Sequence, residues 1–321
     1  MEAKTERDRS KNRWMESSVG ASFHWTTHTT YADGTRGSYA EAVNGFDVPR
    51  FVSDLRAAGV GHVIFTLTHA EQYLAFPCRA LESILSGRTT ERDLIGELTD
   101  GLSAAGIRFI AYYNHSCNGD DDIPWKKACG YDAGIGGDLD AFAGNICSIV
   151  SEIARRYGDR IAGWWFDSAY SVDGRGPHNS ISCEMGDWQF PWEKLTAAAR
   201  AGNPDCAVAV NSGIGCGFLY TTDQDYYAGE TVKLDEKFPP AEDNGMVDHR
   251  WICIDNPMWA FVSSEPRDFS SPRFSDEEVT AFVRDNLSSH RMTTFNMEID
   301  RSGRINPYAL RQIKYINEQI K

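Results

Sequence analysis

Short runs of β-branched and aromatic residues recur along the chain, and most are followed by a segment in which apolar residues return every three or four positions. The runs are VGASFH (19–24), GHVIFTLTH (61–69), RFIAYYN (108–114), RIAGWWFD (160–167), CAVAVN (206–211), QDYYAGE (224–230), RWICID (250–255) and MTTFNM (292–297). Many are continuously apolar, as strands of a parallel sheet covered on both faces must be. Helical spacing follows in VPRFVSDLRAAG (48–59) and DLIGELTDGLSAAG (93–106), both closed by glycine, and in 139–157, 191–202, 275–289 and 308–320. Eight strands in rough alternation with helices predict an α/β fold of the (β/α)8 TIM-barrel type.

An open doubly wound sheet is the main rival. It would want a glycine-rich phosphate fingerprint after the first strand, which is missing; GIGCG (213–217) follows a later strand and reads as a flexible loop. No repeat, low-complexity tract or Pro/Gly-rich linker divides the chain, so residues 1–321 are expected to form one barrel, with 1–11 a flexible tail.

A 41% hydrophobic, 24% charged composition excludes disorder, collagen and coiled coil. The net charge of −14, with no Lys/Arg run, repels phosphate backbones and argues against nucleic acid. No apolar stretch approaches the roughly 20 residues of a membrane span, and the charged N-terminus lacks a secretory core. A cytoplasmic location is therefore expected. The eight cysteines contain no C-x-x-C pair and read as reduced, buried thiols.

Barrel enzymes draw their chemistry from the C-terminal ends of strands. Those ends carry His24 and Trp25; His69 and Glu71; Tyr113, Asn114 and His115; Asp167; Asn211; Asp225 and Glu230; Trp251 and Asp255; Asn296 and Glu298. Paired carboxylates among aromatics and histidines, with no metal cage and no need of a cofactor, fit glycoside hydrolysis, in which one carboxylate attacks and one carboxylic acid protonates the leaving oxygen. Asp167, ending the apolar strand WWFD, is the leading candidate. The second carboxylate is open among Glu230, Glu184 and Asp187, the last two in a long polar and aromatic loop after Asp167, with Glu71, His115 and His178 behind them.

In order along residues 12–308, the chain resembles the catalytic barrel of the retaining α-L-fucosidases. The resemblance is carried by NRWMESSVGASFHW, VPRFVSDLRAAGVGHVIFTLTH, RFIAYYN, IARRYGDRIAGWWFD, QDYYAGE and FVRDNLSSHRMTTFNMEIDRSGRINP. It implies Asp167 as nucleophile and Glu230 as acid/base. It also implies His24, His69 and Tyr113 as contacts to sugar hydroxyls and the nucleophile, and Trp25 and Trp251 in the pocket wall. Glu71, His115 and Asn211 are further expected substrate contacts. An oligosaccharide or glycoconjugate is the expected partner, with an α-L-fucoside or closely related α-L-sugar as substrate.

The chain departs from the family at THAEQY, where Lys-His-His-Asp-Gly-Phe is usual: His69 is kept, and Ala70 and Glu71 replace a histidine and an aspartate. The arginine expected after the fifth strand has no counterpart in NSGIGCG, and the family's usual C-terminal β-sandwich is not expected within these 321 residues. These departures sustain two rivals: a sugar-binding protein on a decayed barrel, separated by binding without turnover, and a glycosidase of different sugar specificity. A metal-dependent hydrolase would have only His24, His28 and Asp255 for a cage.

Overall fold

The computed structural model describes residues 10–117, 121–131, 137–169, 188–236 and 245–320. Seven strands, β1 (Val19–Phe23), β2 (His62–Thr68), β3 (Arg108–Tyr113), β4 (Ile161–Phe166), β5 (Ala207–Val210), β6 (His249–Cys253) and β7 (Met292–Asn296), form one parallel sheet in the order β5-β4-β3-β2-β1-β7-β6. Around it lie α1 (Tyr39–Gly45), α2 (Val48–Ala58), α3 (Arg79–Ile84), α4 (Leu94–Ala104), α5 (Ile123–Cys129), α6 (Leu139–Tyr157), α7 (Trp192–Ala199), α8 (Asp276–Ser288) and α9 (Pro307–Gln319). The fold is thus α/β, a curled parallel sheet with helices. Among the described residues no helix is long and apolar enough to cross a membrane.

Side chains alternate across each strand, and this divides the apolar residues into two cores. Val63, Phe65, Phe109, Ala111, Trp164 and Phe166 face outward and pack with the buried stripes of α2, α4 and α6. Ile64, Ile110, Tyr112, Trp165, Ala207, Ala209 and Trp251 face inward and form a second cluster inside the curl of the sheet. Side-chain caps set the helix starts: Asp47, Asp93 and Asp138 accept from the backbone N–H groups of Arg50, Gly96 and Ala141, and Ser275 with Glu278 forms a capping box on α8.

At the N-terminal end of the sheet His62 and His249 each place Nε2 2.8 Å from Thr294 Oγ1. Burial lowers the pKa of both rings, that of His62 to about 3. Gly20 is required here, because a Cβ at that position would lie 1.8 Å from His62 Nε2.

Two expectations change. QDYYAGE is not a continuous strand: 225–231 makes isolated parallel bridges from Tyr226 to Val247, just before β6, and from Glu230 to Trp251 in β6, and reaches β5 through Asp225 N to Val208 O at 2.8 Å. It occupies the sixth position between β5 and β6, but no helix flanks it among the described residues. In addition, Ser10 and Lys11, expected in the tail, begin a 3-10 helix (Ser10–Ser17), with Lys11 Nζ 2.7 Å from Asp205.

Candidate active site

The C-terminal strand ends converge on a cavity of about 260 Å³ lined by His24, His69, Tyr112, Trp165, Asp167, Glu230 and Trp251, and roofed by Met258, Trp259 and Ala260. Period-two alternation puts these groups on one face. Trp165 lies near the end of β4 and Asp167 two residues on, just past it, and the register pairs Tyr112 with Trp165 across β3 and β4. The two rings stack with centroids 5.1 Å apart. Gly229 lets Glu230 reach the mouth: its φ is +73°, and a Cβ there would stand 2.2 Å from the His249 carbonyl oxygen.

Three donors fix the Asp167 carboxylate. Tyr112 Oη and Asn114 Nδ2 donate to Oδ2, the latter at 3.0 Å, and Asn211 Nδ2 donates to Oδ1 at 3.0 Å. The same Asn211 Nδ2 donates to Glu230 Oε2 at 2.7 Å, and Gly213 N–H donates to Asn211 Oδ1 at 3.0 Å, which sets the amide's orientation. One amide therefore ties the two carboxyl groups together. Burial, then the neighbouring Asp167 charge, raises the Glu230 carboxyl to about 8, against a smaller lowering by the Asn211 hydrogen bond. Burial lowers both pocket histidines, His24 to about 3 with His69 as the second cause, so both rings are neutral at pH 7.

Left-handed backbone clusters at this mouth. Ala70, Ser116, Ser168 and Trp259 have φ of 60°, 57°, 73° and 66°. Each follows a strand end, and such conformations in non-glycine residues persist only where surroundings hold them. Trp259 is held by Asn296 Nδ2, which donates to its carbonyl at 2.7 Å, and by its ring contacts with Trp251 and His24 at 4.9 and 5.3 Å.

Of the residues singled out in the sequence, Asp167, Glu230, His24, His69 and Trp251 line the cavity, and Asn211 bridges its carboxyl groups. Four others lie elsewhere. Trp25 points outward into the core against Phe46 and Phe65, with Nε1 donating to the Arg301 carbonyl at 3.2 Å. Tyr113 also points outward, its hydroxyl accepting from Gln72 Nε2 at 2.6 Å. His115 is buried against Tyr131 and Phe142, and its Nδ1 accepts from Cys117 N–H. Glu71 pairs with His28 at 3.3 Å beside a separate cleft. Glu184, Asp187 and His178 lie outside the described residues. Tyr112 and Trp165 were missed, although the two-residue step back from Asp167 and its cross-strand partner identify them.

Asp225 and Glu298 are buried for other reasons. Asp225 pairs with Arg200 at 2.7 Å, and Glu298 pairs with Arg267 at 2.6 Å. Asp255 accepts from Glu298 N–H and Asn306 Nδ2, and burial raises its carboxyl to about 7. Among the described residues no group of three or more His, Cys, Asp or Glu is placed to hold a metal ion.

Residues 2–314 match the model of the family described as Alpha-L-fucosidase. No curated protein matches the chain in sequence. Several solved structures share its fold. The endo-fucoidan hydrolase MfFcnA4 from glycoside hydrolase family 107 superposes with a TM-score of 0.71 at 17% identity, covering 99% of this chain and 55% of that one. For the endo-fucoidan hydrolase MfFcnA9 of the same family the values are 0.71, 18%, 98% and 65%. The alpha-L-fucosidase AlfC from Lactobacillus casei, in complex with alpha-L-fucose product, gives 0.65 at 16% identity, covering 98% of this chain and 100% of that one. The chain therefore spans about half to two thirds of the length of the first two and all of the third.

Proposed function

Because this chain belongs to the alpha-L-fucosidase family, we propose that it is a retaining glycoside hydrolase that cleaves α-L-fucosides or a closely related α-L-sugar. In this reading 225–231 is the sixth stave, which brings the seven strands to the eight of a (β/α)8 barrel, and the cavity at its mouth takes one sugar ring. A volume of about 260 Å³ lies below the roughly 300–1,000 Å³ of sites for drug-sized ligands, which suits a single ring better than a long glycan.

The observation that carries the mechanism is the shared amide. With Asn211 Nδ2 at 3.0 Å from Asp167 Oδ1 and 2.7 Å from Glu230 Oε2, linear hydrogen bonds along N–H directions about 120° apart would set those oxygens about 5 Å apart. Retaining glycosidases separate their carboxyl groups by about 5–5.5 Å, whereas inverting ones need about 6.5–9.5 Å to admit a water.

Asp167 attacks the anomeric carbon as Glu230, protonated at neutral pH, gives its proton to the leaving oxygen; the C–O bond to the aglycone breaks as the bond to Asp167 forms. Glu230, now a carboxylate, then takes a proton from water, whose oxygen displaces Asp167 from the same carbon and restores both groups. Tyr112, Asn114 and Asn211 hold Asp167 in line. Trp165, Trp251 and Trp259 supply apolar faces for the ring and its methyl group.

The test is release of nitrophenol from 4-nitrophenyl α-L-fucoside, with the α-L-galactoside alongside, by wild type and Asp167→Asn. Turnover with a loss of about a thousandfold or more in the variant is the expected result. Binding of these sugars without turnover by wild type would favour a carbohydrate-binding protein on the same fold.

A further inference from the structure

We infer that Asn296 fixes the tautomer of His24, so that His24 Nε2 is a bare acceptor facing the cavity and selects a ligand hydroxyl that can donate to it. The inference rests on the sugar pocket proposed above and assigns Asn296, which touches no part of the cavity, as a positioning residue.

Asn296 sits at the end of β7, between His24 and the roof of the pocket. Its Nδ2 lies 2.7 Å from the Trp259 main-chain carbonyl, a group that can only accept. The amide nitrogen must therefore point to the roof and Oδ1 toward β1. There the indole N–H of Trp251, which can only donate, gives its proton to Ser22 Oγ and leaves the Ser22 hydroxyl proton for Asn296 Oδ1, 3.1 Å away. Both ends of the amide agree on one orientation.

His24 Nδ1 lies 2.9 Å from that same Oδ1, which has no proton to give, so the ring donates from Nδ1. The ring is neutral, desolvated beside His69, and so carries its one proton there. Nε2, on the far side, takes no partner among the described residues and opens on the cavity. A ligand oxygen meeting Nε2 must bring the proton itself: a hydroxyl fits, whereas an ether oxygen or a carbonyl meets a lone pair with a lone pair. The roof and the tautomer are set by one side chain, so the residue that shapes the pocket also decides which way its hydrogen bonds run.

The proton's place is read directly in the ligand-free protein, independently of any activity. Protein labelled with 15N-histidine, examined by long-range 1H–15N correlation at neutral pH with His24→Gln for assignment, should show a protonated-type Nδ1 and an unprotonated-type Nε2 for His24. Neutron diffraction from deuterated crystals reads the same two positions if that variant fails to fold. A proton on Nε2 overturns the inference by either method. Asn296→Ala should mix the tautomers and raise KM about tenfold with kcat within about threefold, as expected for one ligand hydrogen bond. If Asn296 only supports the roof, His24 will keep its wild-type tautomer in Asn296→Ala.

On the ligand side, monofluoro analogues of the bound sugar, which keep an acceptor but lose a donor, should lose binding at one hydroxyl as fully as the matching deoxy sugars. Retention of affinity by every fluoro analogue would also overturn it. Should no sugar bind at all, the pocket reading fails and the spectroscopic result stands alone.

Discussion

Replacing Glu230 with glutamine isolates the titration on which the proposed acid depends. In the native chain, burial and the Asp167 charge raise this carboxyl to about 8; in the unfolded chain it returns to about 4.3. Between those values the native protein holds a proton that the unfolded chain has lost, so stability falls as pH rises. The contribution is complete below about pH 4 and gone by about pH 8. Over the whole window it would reach about 5 kcal/mol, at 1.36 kcal/mol per pH unit. Glu230 lines an open pocket and is only half-buried, so water screens part of this, and about 2–3 kcal/mol is expected. Glutamine keeps the shape without the titration, and the effect of Asp255, raised to about 7, cancels in the difference between the two proteins. Urea unfolding of both, from about pH 5 to about pH 9, should therefore show wild type losing about 2–3 kcal/mol relative to the variant. A difference flat to within about 0.5 kcal/mol would refute the raised acid. With Asp167→Asn in the background the window should narrow without closing, because burial is the larger cause.

Three further outcomes follow from single contacts. Tyr112→Phe removes a donor from Asp167 and should lower kcat about tenfold or more, while Tyr113→Phe, whose hydroxyl meets Gln72 in the outer core, should leave kcat and KM nearly unchanged and cost about 1 kcal/mol in unfolding. Asp122→Ala strips the buried Arg88 guanidinium of a two-point partner at 2.8 Å and should destabilise the protein by about 3–5 kcal/mol, lowering its thermal midpoint. Gly20→Ala places a methyl group 1.8 Å from His62 Nε2 and should abolish soluble expression, an effect that His62→Ala in the same chain should relieve in part.

The strands were legible because strands covered on both faces stay apolar throughout, but the same feature hides which side chain faces which way. Two adjacent residues of one strand cannot share a pocket. His24 continues the inward series of Gly20 and Ser22, and Trp25 the outward series of Ala21 and Phe23; assigning both to one wall ignored the pleat. The choice of Tyr113 over Tyr112 fails in the same way, since the register pairs Tyr113 with outward Phe166 and Tyr112 with inward Trp165. QDYYAGE has the composition of a strand, but Gly229 in the left-handed region interrupts the ladder, and that same break brings Glu230 to the mouth.

Carboxylates at strand ends pose the harder choice, because a sequence shows the acid and not its partner. Asp225, Glu298, Asp167 and Glu230 all sit where a barrel keeps its chemistry. Asp225 is neutralised by Arg200 and Glu298 by Arg267; both charges are spent inside the protein, as buried charges must be. Asp167 and Glu230 receive only neutral donors among the described residues: a phenol, two amides and no cation. An anion left without a counterion is costly to keep, and here burial and mutual repulsion, against the weaker pull of the shared amide, meet that cost by holding the second carboxyl as an acid. What remains is one uncompensated negative charge facing a cavity walled by neutral histidines and tryptophans. In the proposed reaction a sugar ring supplies the missing cation only as its glycosidic bond breaks, so the attraction grows toward the transition state and is weak in the ground state. The charge balance of the four carboxylates, more than their positions in the chain, separates the two proposed to do chemistry from the two that hold the fold.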